Sequence, residues 1–196
     1  MPWAVASSAT RPAPGCPGSS VLLLPVAFPL QIRPFEAPNW PAVWGLLEPV
    51  FRAGDTFPHD PAITEAQARA SWLEQTQSVM VAADAAGSLV GTYYIKPNTL
   101  CLGAHVANAG YVVAQHCRRQ GVGTRLCQHS LQTARRLGYR AMQFNLVVST
   151  NLAGISCWQT NGFRVVGTLP GAFHHKRLGD VDALVMFQTL TEEAPP

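Results

Sequence analysis

Seven consecutive residues, Arg118-Arg119-Gln120-Gly121-Val122-Gly123-Thr124, carry the most specific chemistry in this sequence. Gly121 and Gly123 lack the Cβ atoms that would hold a ligand away from the backbone. The run after them has helical spacing. Leu126, Ser130, Ala134 and Leu137, flanked by Cys127 and Leu131, fall on one face. Arg125, Gln128, Gln132, Arg135 and Arg136 fall elsewhere, and Gly138 supplies a stop. A helix that begins in such a loop offers amides with no intrahelical acceptor, and its dipole attracts anions. Arg118 and Arg119 add full positive charge just before it. The apolar run Gly110 to Ala114 leads in as a strand. Strand, glycine-bearing loop and helix together make a pyrophosphate site.

Two familiar nucleotide motifs are excluded by particular residues. A dinucleotide fingerprint needs a third glycine where Leu126 stands, and an acidic residue about 20 positions on. No Asp or Glu occurs between Asp84 and Asp180. A P-loop needs a lysine, and this loop has none. A net charge of +3 is too small to imply nucleic acid as partner, and the arginines gather around the loop instead. Five cysteines, odd in number and without a Cys-x-x-Cys pair, read as free thiols of a reducing cytoplasm. The histidines form no metal-binding pattern, so no metal is expected, and His174-His175 reads as a loop surface pair.

The loop needs a scaffold, and the rest of the chain supplies one. Charged residues make up 13% and hydrophobic residues 47% of the sequence, which implies one compact domain with a substantial core. Residues 1–20, rich in Ser, Pro, Gly and Ala, read as a disordered tail, and 21–193 as the domain. Val21 to Leu30 is apolar but short, and Pro25 and Pro29 interrupt it, so neither a membrane span nor a signal peptide is expected. Leu30 to Pro34 reads as a strand. Trp40 to Phe51 has helical spacing, with Pro49 expected to end or kink it. Gly54 to Pro58 is a loop, and Thr64 to Gln75 a second helix with Thr64 and Gln67 as a capping pair. Val79 to Asp84 and Leu89 to Lys96 read as paired strands. Leu100 to Asn108 either continues the hairpin or crosses over to the central strand, Val106 to Ala114.

Ala141 to Val148 alternates, with Met142, Phe144, Leu146 and Val148 on one face, which leaves Asn145 as a polar residue in a strand that otherwise reads as core. Phe163 to Thr168, a loop through Asp180, and a last strand Ala183 to Leu190 complete a mixed α/β sheet with helices on both faces.

Arg-x-x-Gly-x-Gly (Arg118 to Gly123) after an apolar strand resembles the acetyl-CoA loop of the GNAT family of N-acetyltransferases. Asn151, then Ala153-Gly154, then Trp158 and Gly162-Phe163 resemble that family's second signature, in the right order and spacing. The resemblance covers Val21 to Leu190. It implies a mixed central sheet flanked by helices, acetyl-CoA as cofactor and an amine as acceptor. It also implies that backbone amides from Arg119 to Thr124 hold the pyrophosphate and that an amide near Val113 binds the acetyl carbonyl. A homodimer is expected from the family alone. The family's usual acid, a tyrosine, is replaced here by Trp158, and an indole N–H does not protonate a thiolate.

Gly-Asp-Thr-Phe-Pro (54–58), the asparagines at 108, 145 and 151, and Val181-Asp182-Ala183 resemble a narrower group, the N-acetyltransferases that detoxify proline analogues such as azetidine-2-carboxylate. By that resemblance Asn108 and Asn145, with Leu146, hold a small amino-acid substrate, and Asn151 assists at the thioester by hydrogen bonding. An amide side chain donates and accepts without changing charge. Plainer roles stand beside these: Asn145 as a satisfied core residue, Asn108 as a strand-end residue, Asn151 as a helix N-cap, Cys157 as a structural thiol, and Asp55 as a turn former. With no recognisable nucleophile–base pair, direct attack by the amine in a ternary complex is the expected mechanism. A peptide N-acetyltransferase and a catalytically silent acyl-CoA-binding module are the rival readings.

Overall fold

The computed structural model describes residues 29–191; the tail expected at 1–20 and nearly all of the apolar run from Val21 lie outside them. The fold is a seven-stranded sheet in the order β1-β2-β3-β4-β5-β7-β6. Its strands are β1 (Gln31–Pro34), β2 (Ser78–Ala83), β3 (Leu89–Pro97), β4 (Val106–Val113), β5 (Ala141–Val148), β6 (Arg164–His175) and β7 (Gly179–Thr189). All neighbours are antiparallel except β4 and β5. A parallel pair needs a crossover, and α3 (Val122–Arg136) provides it.

Helices α1 (Trp40–Ala53) and α2 (Glu65–Arg69) cover one face, while α3 and α4 (Leu152–Thr160) cover the other. The first core gathers Trp40, Val43, Leu47 and Phe51 of α1 with Trp72, Val81 and Val112. The second gathers Leu126, Cys127, Leu131 and Ala134 of α3 with Tyr93, Met142, Phe144 and Phe163. The expected capping pair is present: the Gln67 N–H donates to Thr64 Oγ1 at 3.3 Å and the Thr64 N–H to Gln67 Oε1 at 2.9 Å. A π-helical turn over Ala70–Glu74 extends α2 and buries Trp72.

Several expectations need correction. Of the two outcomes expected at Pro49, an end or a kink, the end does not occur: α1 runs on to Ala53 and closes at Gly54 with φ of 62°. Burial of Phe51 at 1% exposure holds the turn beyond the proline in place. Leu137 is surface, 40% exposed, because α3 ends at Arg136 and Gly138 (φ 86°) turns the chain away. The strict alternation on β5 fails: an irregularity between Phe144 and Val147 buries Val147 with Met142 and Phe144, leaving Leu146 half-buried and Asn145 exposed rather than core. The C-terminal loop is shorter than expected. β6 and β7 form a hairpin whose register shift between Leu169 and Phe173 absorbs the Pro170-Gly171 segment. His174 and His175 therefore end a strand: His174 pairs with Asp180 at 2.7 Å, while His175 is buried and its Nδ1 accepts the Arg177 N–H at 3.1 Å. The ambiguous segment 100–108 continues the β3–β4 hairpin through a short turn at Cys101–Gly103.

Gly110 of β4 shows how tightly the sheet and the α1/α2 layer are joined. A Cβ there would lie 2.5 Å from Tyr94 Cε1. Tyr94 cannot yield freely, since its ring meets Trp72 edge-on at 4.8 Å. We expect Gly110→Ala to cost about 1–3 kcal/mol of stability, read as a lower urea midpoint at unchanged slope.

Candidate active site

The site begins where two strands part. β4 and β5 pair only at Val106↔Ala141 and Ala107↔Met142. At the vertex, Asn108 Nδ2 donates to the Gln143 carbonyl at 2.9 Å. Beyond it β4 stays with β3, and the alternation of an antiparallel ladder orients its amides. The Ala114 N–H donates to the Val90 carbonyl and the Asn98 N–H to the Val106 carbonyl. Even-numbered residues of β4 thus bond to β3, and the backbone N–H groups of Ala109, Tyr111 and Val113 face the gap left by β5. Val113, expected to offer an amide, stands at its wide end.

The loop after β4 closes that end. Arg119 (φ 62°) and Gly121 (φ 78°) take left-handed backbone, and Gln120 Nε2 braces the turn on the His116 carbonyl at 2.9 Å. Arg118 and Arg119 are exposed; Val122 is buried, so only its backbone faces outward. The Arg125 N–H donates to the Gly121 carbonyl at 3.0 Å. The amides of Val122, Gly123 and Thr124 ahead of it have no acceptor within the helix. A Cβ at Gly121 would meet nothing within 4 Å, and one at Gly123 only Cys157 Sγ at 3.8 Å and Val113 Cγ2 at 4.0 Å. Internal packing therefore does not demand glycine at 123. Open space over unsatisfied amides fits a pyrophosphate, and these residues suit the CoA end of acetyl-CoA.

Asn151 caps α4, its Oδ1 accepting the Gly154 N–H at 3.1 Å. A side chain at Gly154 would meet Asn151 Nδ2 at 2.5 Å, so the glycine makes room for the cap. Asn151 Nδ2 keeps its donors for another partner.

Half-buried Trp158 packs against the core at Tyr111 (4.7 Å) and Phe144 (5.1 Å), and its indole N–H is no acid for a thiolate. Tyr111 is no substitute: its hydroxyl is 2.6 Å from Ser130 Oγ, and burial pushes its pKa well up. Cys157 Sγ is 3.8 Å from Thr124 Oγ1, and burial raises its pKa, so it stays a thiol.

On the α1/α2 face of the vertex lies a chain of amides. Gln143 Nε2 donates to Asn145 Oδ1 at 2.8 Å, and Asn145 Nδ2 to Asn98 Oδ1 at 2.7 Å. Asn108 and Asn145 are thus brought together, with half-buried Leu146 beside Asn145. Asn98 and Gln143 join them although sequence reasoning passed them over; Gln143 shares Asn145's face by alternation, while Asn98 lies in a segment with no periodicity. The aromatic wall above this face comes from the α1–α2 connection. His59 stacks on Phe51 at 4.4 Å, and Phe57 packs on Trp72 at 5.9 Å.

Residues 40–163 match the Acetyltransferase (GNAT) family, more than half of the chain. The chain belongs to the GNAT family, whose fold uses acetyl-CoA. It is 42% identical to a GCN5-related N-acetyltransferase from Kribbella flavida, with a TM-score of 0.77 over 82% of this chain and 97% of that one. It is 36% identical over 99 residues to the N-acetyltransferase aca1 of Schizosaccharomyces pombe. That match spans 50% of this chain and 47% of the relative, about half its length. The fold also matches a phosphinothricin acetyltransferase from Sinorhizobium meliloti solved in complex with acetyl-CoA, at 17% identity and a TM-score of 0.74, over 85% of this chain and 96% of that one. No helix among the described residues is long and apolar enough to cross a membrane.

Proposed function

We propose that this chain transfers an acetyl group from acetyl-CoA to the amine of a small molecule, an amino acid or proline analogue, by direct attack in a ternary complex. The observation that carries the reading is the parting of β4 and β5 beside the free amide end of α3. Acetyl-CoA, when bound, supplies the thioester; the remaining work falls to the chain.

In this reading the amides from Arg119 to Thr124, with Arg118 alongside, hold the pyrophosphate. The Val113 N–H receives the carbonyl oxygen, where a preorganised donor contributes about 2.7–4 kcal/mol to lowering the barrier. Asn151 Nδ2 donates at the thioester without titrating. Asn108, Asn145 and Leu146 position the acceptor under the wall formed by Phe57 and His59. The amine attacks as its free base, the C–N bond forms as the C–S bond breaks, and, with Trp158 supplying no acid, water both takes the N–H proton released and returns one to the departing thiolate. The reading extends to detoxification in the cytoplasm and to a homodimer, for which the exposed Val165, Val166 and Leu169 on edge strand β6 offer an apolar strip.

The test is thiol release from acetyl-CoA with azetidine-2-carboxylate, proline, phosphinothricin, a polyamine and a short peptide. Turnover with the cyclic imino acids supports the reading. Turnover with the peptide alone moves the chain to the peptide N-acetyltransferases. Tight acetyl-CoA binding with no release on any amine makes it a silent acyl-CoA-binding module, a reading favoured by Trp158 standing where the family has its acidic tyrosine.

A further inference from the structure

We propose that Lys96 is the specificity-determining residue of the acceptor site, the counter-charge for a carboxylate on the amine substrate. The inference rests on the small-molecule reading above and deepens it by naming the residue that receives the acceptor's carboxylate.

Lys96 stands directly opposite Asn108 in the β3–β4 ladder. Directly opposed residues share a face and have Cβ atoms about 4.5–5.5 Å apart. Lys96 therefore projects on the α1/α2 face, at the vertex where β4 and β5 part. It is half-buried, and its Nζ lies 5.5 Å from the centroid of the Tyr94 ring. Among the described residues the ion pairs are Arg52–Glu48 and His174–Asp180, and Lys96 has neither a carboxylate within 4.0 Å nor a hydrogen-bond acceptor. Its charge is felt nearby, since it adds to burial in lowering the pKa of His59. A partly desolvated cation whose one contact is the face of a neutral ring, beside neutral amides, asks for an anion.

The amides around it complete a bipolar site. The Gln143 carbonyl only accepts, so the group that Asn108 turns towards it must be Nδ2, and Asn108 Oδ1 faces away. In the amide chain each oxygen of Asn145 and Asn98 is already accepting, while the Asn98 NH2 and Gln143 Oε1 have no partner among the described residues. Donors and positive charge thus come from Lys96 and Asn98, and free acceptors from Asn108 and Gln143. An amino or imino acid presents the complement: a carboxylate for the first set, amine N–H groups for the second. A polyamine presents only positive charge and would meet Lys96 unfavourably.

The experiment compares azetidine-2-carboxylate with its neutral carboxamide as acceptors, using the parent protein, Lys96→Gln and Lys96→Arg. Loss of a charge-assisted contact is expected to raise KM for the carboxylate about 10- to 100-fold in Lys96→Gln. Its kcat, its acetyl-CoA Kd and its KM for the carboxamide should each stay within about threefold of the parent protein, well short of that loss. Lys96→Arg, which keeps the charge, should recover most of the loss. Equal losses on carboxylate and carboxamide, or no change in KM, overturn the assignment while leaving the small-amine reading intact. A parent protein that acetylates neither compound nor any other small amine overturns that reading, and the role of Lys96 with it.

Discussion

A Gly123→Ala variant is expected to unfold no more easily than the parent protein while binding acetyl-CoA about 10- to 100-fold more weakly, a loss of about 1.4–2.8 kcal/mol. The two halves of the expectation have separate causes. Residue 123 is in the first turn of α3, and alanine there is a better helix former than glycine by up to about 1 kcal/mol. The added methyl would meet Cys157 Sγ at 3.8 Å and Val113 Cγ2 at 4.0 Å, ordinary contacts that require nothing to move. The same methyl would stand between the unsatisfied amides of α3 and the end of β4, where the proposed pyrophosphate and its chain must pass. Thermal unfolding and calorimetric titration with acetyl-CoA measure the two effects independently. A variant that is stable and binds with undiminished affinity would show that the ligand does not cross this turn. Gly121 would not separate the effects so cleanly, because its φ of 78° penalises any side chain whatever the ligand does.

The loop and helix proposed to hold the cofactor were legible in sequence because they are local. Gly121, Gly123 and the helix after them are adjacent in the chain, and their composition states the backbone geometry they need. The capping pair Thr64–Gln67 and the glycine stop at Gly138 were legible for the same reason. The acceptor half depends on register. Asn145 stood out in sequence as a polar residue in an apolar strand, and it shares a face with Gln143 by plain alternation; what alternation missed is the irregularity between Phe144 and Val147, which buries Val147 and leaves Leu146 half-buried. Asn98 carries no periodic signal, and it enters the site only because the β3–β4 hairpin returns it beside β5. Lys96 read as the last residue of a strand, and its meaning appeared once Asn108 was found opposite it. The surface reading of His175 failed in a related way, because a local pattern does not show that its ring packs against Phe173 and is buried.

In the proposed mechanism Asn151 holds two roles at once, and two substitutions pull them apart. Its Oδ1 caps α4, and its Nδ2 is the donor proposed for the thioester. Asn151→Ala removes both, so it should lower stability by about 1 kcal/mol, the usual cost of a lost N-cap. It should also lower kcat by about 100- to 1000-fold, as when a preorganised donor is taken from a developing negative charge. Asn151→Asp restores the acceptor that the Gly154 N–H needs, and aspartate is as good an N-cap as asparagine. It supplies no donor, and it sets a negative charge where the reaction builds another. Stability should therefore return to that of the parent protein while kcat remains as low as in the alanine variant or falls further. Chemical denaturation and saturating steady-state rates give the two readings. If kcat instead recovers together with the cap, Asn151 serves only to hold α4 in place. The thioester contact would then have to come from the backbone of β4, where the odd-numbered amides facing the gap are already suitably turned.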